Sequence, residues 1–271
     1  MSELVSVVMP SYNSAAFIAA SIESVLAQTY KHLELLIADD ASKDDTVAIV
    51  RAYQQRDARI RLFVLEGNEG AGAARNKCIE AARGRYIAFC DSDDTWEPTK
   101  LAEQVAFMQG GGYSFVFSSY YVMNKSGERL GTIHAPASVS LIDTKRDDKI
   151  GFLTAIYDVQ AVGKLYMPLI RKRQDWAYVL MILQKCHKAY ALPQPLATYR
   201  RGRGSISHNK FSLVKYNLKV YEIVFGYSPL RARLYFTFLF MPHYMLKRAK
   251  YVWHSRRSLP PATEEESVEG L

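Results

Sequence analysis

The chain has 271 residues, of which 49% are hydrophobic, and this length and composition allow one large domain with a sizeable buried core. Its formal net charge is +8, but the excess is uneven: residues 1–110 carry 11 basic and 16 acidic side chains, whereas residues 200–257 carry 13 basic side chains and one acidic one. The C-terminal part is therefore expected to meet a polyanion, and the three widely spaced cysteines exclude a disulfide framework or a zinc site.

Strand-like apolar runs and segments of helical spacing alternate four times in the N-terminal part. The strand-like runs are residues 4–9, LELLIADD, RLFVLE and RYIAFC, and the helical positions between them are Phe17 to Leu26, Val47 to Tyr53 and Ala74 to Ala81. Asn13 or Ser14 is expected to cap the first helix, and Ser42, three residues before Asp45, to open a capping box for the second. This alternation predicts an α/β fold with a mainly parallel central sheet flanked by helices, whose ligands bind at the carboxyl ends of the strands.

The rhythm changes after this point. A helix is expected over Leu101 to Met108 and a strand in SFVFSSYYV, and the turn-rich stretch from Asn124 to about Lys149 is expected to form an acceptor-side sheet or loop. The remaining predicted elements are a helix in QDWAYVLMILQK, a strand in AYALPQPLATYRR, two helices on either side of Pro229, and a disordered tail rich in Pro and Glu. The predicted divisions are residues 1–110, 111–226, 227–257 (a basic amphipathic helical extension) and 258–271 (the tail).

Neither end of the sequence predicts a membrane span or a leader. MSELVSVVMPSYN lacks a basic region and reads as a first strand, which argues against a signal peptide. The apolar run LYFTFLFMPHYML has 13 residues and contains Pro242, against about 20 needed to cross a bilayer. A cytoplasmic location is therefore predicted, and Cys78, Cys90 and Cys186 are expected to be reduced.

Polar and acidic residues follow three of the predicted strands. They are Pro10, Ser11, Tyr12 and Asn13 after the first, Asp39 and Asp40 after the second, and Asp91, Ser92, Asp93 and Asp94 after the fourth. The ends of parallel strands converge, and crowded carboxylates favour a cation such as Mg²⁺ or Mn²⁺, which commonly bridges to phosphate oxygens. A turn followed by a helix N-cap is the alternative reading of DSDD.

These motifs resemble a known family. VSVVMPSYN, IADDASKDDT, GAGAARN and FCDSDD, in this order over residues 4–110, are similar to the nucleotide-binding half of family 2 glycosyltransferases with the GT-A fold, of the bacterial surface-polysaccharide type. The resemblance implies that Tyr12 and Asp40 hold the nucleobase of a nucleoside-diphosphate sugar, usually uridine, and that Arg75 lies near the base or diphosphate. It also implies that Asp91 and Asp93 bind the metal, with Asp91 alternatively facing the ribose. Pro10, Ser11, Asn13, Gly72 and Ser92 complete the implied nucleotide-binding set.

The resemblance continues more weakly through RKRQDW and YRR to about residue 220. It implies that Asp175 is the general base of an inverting transfer, although Asp is also favoured at any helix N-terminus. Gln174 stands where many relatives have Glu, and Trp176 is either a packing residue or a stacking platform for the acceptor sugar. Arg200 and Arg201, with Arg203, either close over the diphosphate or form a solvated loop, and His208 is a candidate third metal ligand or a surface residue.

The predicted function is the transfer of a single sugar, because no Q-x-x-R-W element of processive synthases is present. The basic residues and aromatic side chains from Ser228 to Arg257 fit either an interfacial helix on an anionic membrane, with a glycan or lipid-linked acceptor, or a helix packed on the catalytic domain. A nicotinamide dehydrogenase is disfavoured because Arg75 replaces the third glycine of G-x-G-x-x-G. The rivals kept open are a sugar-nucleotide pyrophosphorylase and a catalytically silent carbohydrate- or membrane-binding adaptor; nucleic acid is a weaker option, since no recognised module accompanies the charge.

Overall fold

The computed structural model describes residues 3–201 and 210–246. Strands and helices alternate in the first half as expected. Its four strands are β1 (Val5–Ser11), β2 (Leu33–Asp39), β3 (Ile60–Val64) and β4 (Tyr86–Phe89), and they pair in the order β3-β2-β1-β4, all parallel. Both faces of β1 and β2 are covered, which explains why their sequences are almost continuously apolar. The helices between these strands are α1 (Ile18–Leu26), α2 (Thr46–Arg56) and α3 (Ala71–Ala81).

The second half extends the same sheet with mixed pairing. The three-residue strand β9 lies antiparallel between β4 and β6, and β10 then pairs with β6 in parallel. The α/β class is thus confirmed, with a parallel first half and a mixed second half. The elements are β5 (Thr95–Trp96), α4 (Lys100–Gly111), β6 (Phe115–Met123), β7 (Arg129–Ile133), β8 (Ser138–Ser140), α5 (Leu141–Arg146), a 3₁₀ turn (Phe152–Thr154), β9 (Ile156–Asp158), α6 (Val159–Val162), α7 (Gln174–Cys186) and β10 (Lys188–Arg200).

Two cores cover the two faces of the sheet. One joins β1 and β4 to α3 and α7 through side chains such as Phe89, Cys78 and Tyr178, and the other joins them to α1 and α4. The second core contains the fully buried Lys100, whose Nζ donates to Gln104 Oε1 at 2.8 Å and lies 3.8 Å from the centre of the Trp96 ring. Burial lowers the pKa of Lys100 to about 7.

The C-terminal helices pack on α7 through a third core. They are α8 (Lys210–Phe225) and α9 (Pro229–Tyr235), and the second continues through a π-helical segment (Phe236–Phe240) and residues 241–246. Trp176 of α7 meets the rings of Tyr221 and Phe240 at centroid distances of 5.6 and 6.2 Å. Lys145 of α5 lies over three rings of the same unit, those of Phe225, Tyr227 and Tyr235. The C-terminal helices are therefore anchored to α5 and α7.

The outer face of the second C-terminal helix remains apolar. Leu230, Leu234 and Phe238, spaced four residues apart, are 66, 50 and 68% exposed. Across residues 3–201 and 210–246, no helix combines the length and apolar character that a membrane crossing requires. Two predicted segments, the basic end of the helical extension at residues 247–257 and the tail at residues 258–271, lie outside the described residues.

Two predicted helix caps are wrong. Helix α1 begins after Phe17, while Asn13 adopts a left-handed conformation and Ser14 donates its backbone amide to Thr46 Oγ1 at 2.8 Å. Helix α2 begins after Asp45 without a side-chain cap, because the Ser42 hydroxyl donates to Asp39 Oδ2 instead, at 2.6 Å. In both places the polar side chains join β1 to β2 and α2 rather than closing a helix.

Candidate active site

A cleft of about 1180 Å³ opens where the parallel strands end. Two groups of residues line it: Arg75, Asp91 and Asp93 form one wall, and Gln174 and Asp175, at the start of α7, form another. The strand register explains the convergence, since β4 and β2 both pair with β1 and therefore end at the same edge. Asp91 and Asp175, which are 84 positions apart in the sequence, both line this cleft.

The ends of β1 and β2 are tied into a polar network. Ser11 is buried and donates its hydroxyl to Asp39 Oδ2 at 2.9 Å, and Pro10 precedes it within the buried strand. Asn13 donates its backbone amide to Ser42 Oγ and accepts from the Lys43 amide, both at 2.8 Å. Tyr12 lies between these anchored residues and is 47% exposed, so its ring is available to a ligand.

Asp40 organises the glycine-rich loop that precedes α3. Its two carboxylate oxygens accept the backbone amides of Glu69 and Gly70 at 2.7 and 2.8 Å. Gly70 has φ of 95°, a conformation that favours glycine. Gly72 follows on α3, and a Cβ atom there would meet the Gln174 Oε1 atom from the opposite wall at 2.4 Å. The absence of a side chain at Gly72 therefore allows α3 to lie close to the start of α7.

The acids after β4 have distinct environments. Asp91 accepts from Arg75 Nη2 at 2.5 Å, and this guanidinium also lies 5.4 Å from the centre of the Phe152 ring. Burial, followed by the charge of Asp91, raises the pKa of Asp93 to about 6. Asp94 is only 2% exposed, and its Oδ1 accepts the backbone amide of Arg200 at 2.9 Å. Burial raises the pKa of Asp94 well above its usual value, and Asp94 also lines the cleft.

Ser92 is nearly buried, and its hydroxyl lies 2.7 Å from that of Ser14, which fixes the turn against the N-terminal network. Asp91 and Asp93 are hard oxygen donors on the cleft wall, so their chemistry fits Mg²⁺ or Mn²⁺. Within residues 3–201 and 210–246, however, no group of three or more His, Cys, Asp or Glu side chains is arranged as a complete metal site. A cation there would need further ligands from substrate or water.

The start of α7 carries three of the predicted residues, and the structure decides between the two alternatives for Trp176. Asp175 lies in the first turn of α7 and faces the cleft beside Gln174, as expected. Trp176, by contrast, is 1% exposed, and its Nε1 donates to the Thr144 carbonyl at 2.8 Å. Trp176 is therefore a packing residue and not a stacking platform, because helical rotation turns it away from the cleft and into the third core.

The two arginines after β10 differ. Arg200 lines the cleft, donates from Nε to the Asp93 carbonyl at 3.1 Å and lies 4.7 Å from the centre of the Phe17 ring. Arg201 is exposed and donates its backbone amide to the Met123 carbonyl. Arg203 and His208 lie outside the described residues.

The cleft also contains residues that the motif analysis missed. Asp148, Phe152 and Arg173 line it, and Arg173 has φ of 66° directly before α7. The stretch around Asp148 lacks periodicity, so its residues could be assigned to a loop and not to a wall. Positive φ at a non-glycine residue leaves no clear mark in a sequence.

Comparisons with known proteins identify a family that the chain resembles over most of its length. The family model described as glycosyl transferase family 2 matches residues 6–179, more than half of the chain. The chain is 43% identical over 220 residues to the putative teichuronic acid biosynthesis glycosyltransferase TuaG of Bacillus subtilis, covering 81% of this chain and 87% of that protein. It is 36% identical over 212 residues to the UDP-Glc:α-D-GlcNAc-diphosphoundecaprenol β-1,3-glucosyltransferase WfgD of Escherichia coli, covering 78% and 83%.

Solved structures share the GT-A fold at low identity. Staphylococcus aureus TarS, residues 1–349 in complex with UDP-GlcNAc, superposes with a TM-score of 0.67 at 18% identity, covering 88% of this chain and 73% of that one. The mannosyltransferase PcManGT of Pyrobaculum calidifontis, in complex with GDP-Man and Mn²⁺, superposes with a TM-score of 0.65 at 16% identity, covering 95% and 76%.

Proposed function

The chain belongs to glycosyl transferase family 2 and is a glycosyltransferase, and we propose that it transfers a single sugar from a UDP-sugar, with inversion, to a lipid-linked glycan. The observation that supports the proposal is that Asp91, Asp93 and Asp175 line the same cleft. The gap between the walls is where a sugar would lie between its diphosphate and an acceptor.

The donor side is assigned to the residues around the ends of β1, β2 and β4. Tyr12 and Asp40 would hold the nucleobase, Arg75 the diphosphate, and Asp91 and Asp93 a Mn²⁺ or Mg²⁺ ion. Such an ion, when bound, neutralises charge on the leaving diphosphate. The anchors of this region, among them the buried Ser11, Gly72 and Ser92 and the exposed Asn13, hold the binding residues in place before the donor arrives.

The acceptor side is assigned to Asp175. Its carboxylate would take the proton of the acceptor hydroxyl while that oxygen bonds to the anomeric carbon. The bond from the anomeric carbon to the diphosphate breaks in the same step, and the UDP oxygen takes its electron pair. The acceptor class is supported by the names of the relatives, which act in teichuronic acid synthesis or on a diphosphoundecaprenol-linked sugar.

The location proposed is the cytoplasmic face of the cell membrane. The exposed stripe of Leu230, Leu234 and Phe238 lies beside Arg231 and Arg233, and apolar and basic side chains together suit an anionic lipid surface. This surface leaves the third core intact, so packing on the domain and contact with the membrane are compatible roles for the same helix.

The test is a calorimetric titration of the full chain with UDP and with GDP, each with and without Mn²⁺, combined with transfer assays. We expect Mn²⁺-dependent binding of UDP, which Asp175→Asn retains while transfer falls about 10²–10⁴-fold. Asp45→Asn is the matched control, because Asp45 is exposed and makes no side-chain cap. Absence of nucleotide binding by the folded protein contradicts the donor assignment, and full activity of Asp175→Asn removes Asp175 as the base.

A further inference from the structure

Asp148 lines the cleft and has one carboxyl oxygen without a hydrogen-bond partner. It lies in the loop between α5 and the 3₁₀ turn, and lines the same cleft as Asp175. Its Oδ1 is shielded from solvent and has no hydrogen-bond partner, whereas the Ile150 backbone amide bonds to the carboxyl group. Shielded carboxyl oxygens are rarely left unpaired, because each costs about 1–3 kcal/mol. A bound molecule is the natural source of the missing partner.

The charges around Asp148 come from three elements. Asp175 and Arg173 face it from α7, Asp147 belongs to its own loop, and Tyr120 faces it from β6. Lys149 and His134 line the same cleft. Burial, followed by the charge of Asp175, raises the pKa of Asp148 to about 7 and outweighs the opposing effect of Arg173. Below pH 7, Asp148 is therefore mostly an uncharged acid that can donate a hydrogen bond, and it lies near Asp175, the proposed base.

We propose that Asp148 is an acceptor-binding residue, whose carboxyl group donates a hydrogen bond to a sugar hydroxyl next to the one that Asp175 deprotonates. The ligand class is a saccharide with neighbouring hydroxyl groups, which fits a cleft wall made of Asp148, Ile150 and Phe152. The inference rests on the proposed function. Asp148 keeps its proton during transfer, so the reacting proton still moves to Asp175 and no bond of Asp148 is broken.

The experiment measures initial rates with UDP-glucose, Mn²⁺ and a short-chain analogue of an N-acetylglucosaminyl diphospholipid. With a pKa near 7, the protonated fraction of Asp148 falls about tenfold between pH 6 and pH 8, so the acceptor KM of the wild type should rise about tenfold. Asp148→Asn keeps a donor at both pH values, and its acceptor KM should stay within about twofold of the wild-type value at pH 6. Asp148→Ala should raise this KM about tenfold or more at pH 6.

Donor binding separates this proposal from the broader one. UDP affinity should be the same in the wild type, in both Asp148 variants and in the control Asp45→Asn, so a lack of UDP binding by the wild type would count against the proposed function alone. An unchanged acceptor KM in Asp148→Ala overturns the role of Asp148. So does a parallel loss of UDP affinity, which would indicate a merely structural residue. A carbon-13 NMR titration in which the Asp148 carboxyl changes below pH 5, or is unaffected by Asp175→Asn, also overturns it.

Discussion

Gly72→Ala probes the contact between the two walls of the cleft. A Cβ atom on Gly72 would lie 2.4 Å from Gln174 Oε1, while the nearest backbone atom is the Pro168 carbonyl at 3.6 Å. Ordinary van der Waals contact begins near 3.4 Å, so the Gln174 carboxamide must retreat by about 1 Å (3.4 minus 2.4). Gln174 adjoins Asp175 at the first turn of α7, and the displacement therefore reaches the acceptor side directly.

Stability and activity should respond to this change in opposite directions. Gly72 is inside α3, where alanine is favoured over glycine by about 1 kcal/mol, so the melting temperature should rise or stay level. A misplacement of about 1 Å near the reacting atoms can cost about 10²-fold in rate, and we expect a loss of about 10–100-fold in transfer. Thermal unfolding, initial rates and UDP titration together separate these effects.

Gly110→Ala is the matched control, since Gly110 also lies in a helix and a Cβ atom there meets nothing within 4 Å. It should gain stability without losing activity. The double variant Gly72→Ala/Gln174→Ala restores the space and should recover any part of the rate that the displacement removed beyond the effect of Gln174→Ala alone. Full activity of Gly72→Ala would refute the reasoning, because it would mean that the walls adjust without moving the base.

Three further predictions concern stability and the membrane. Because the pKa of Lys100 is lowered to about 7, the unfolded state binds its proton more tightly, so stability from this residue should rise with pH from 7 to 10.5, by at most about 5 kcal/mol. Urea unfolding should show this slope in the wild type and not in Lys100→Met, and equal slopes would contradict it. Asp40→Asn should lose about 1–3 kcal/mol in the same assay, since an amide nitrogen cannot accept from a backbone N–H, and unchanged stability would disprove its anchoring role. The double variant Leu234→Glu/Phe238→Glu should release the protein from phosphatidylglycerol vesicles. The control Leu130→Glu, which changes an equally exposed leucine on β7, should not release it. If the double variant stays bound to the vesicles, this helix face does not bind the membrane.

The parallel half of the fold was predictable because each strand is a buried apolar run and each helix repeats its apolar positions. Asp91 and Asp93 could likewise be placed at the end of β4 from the strand pattern, and both line the cleft, whereas Asp40 after β2 is buried and is not among its lining residues. The strand β9 could not, because three residues carry no periodicity and its pairing depends on distant partners. Trp176 shows the same limit: its burial depends on Tyr221, which lies far along the chain.

Helix caps failed for a related reason. Ser42 has the right spacing for a capping box, but the Asp39 carboxylate competes for its hydroxyl and prevails. A local motif predicts a local hydrogen bond only when folding brings no competing acceptor to the same side chain. Asp148 went unrecognised because its significance lies in a missing bond, and a sequence cannot display that.

The anchoring of the C-terminal helices bears on how such enzymes diversify. Lys145 of α5 and Trp176 of α7 precede the C-terminal helices in the chain, yet rings of those helices pack against both. A chimera that exchanged only the C-terminal helices between relatives would leave a cation and an indole facing foreign side chains. Recombination would therefore have to carry Lys145, Trp176 and these helices together, and the acceptor half would be inherited with its C-terminal partner as one module.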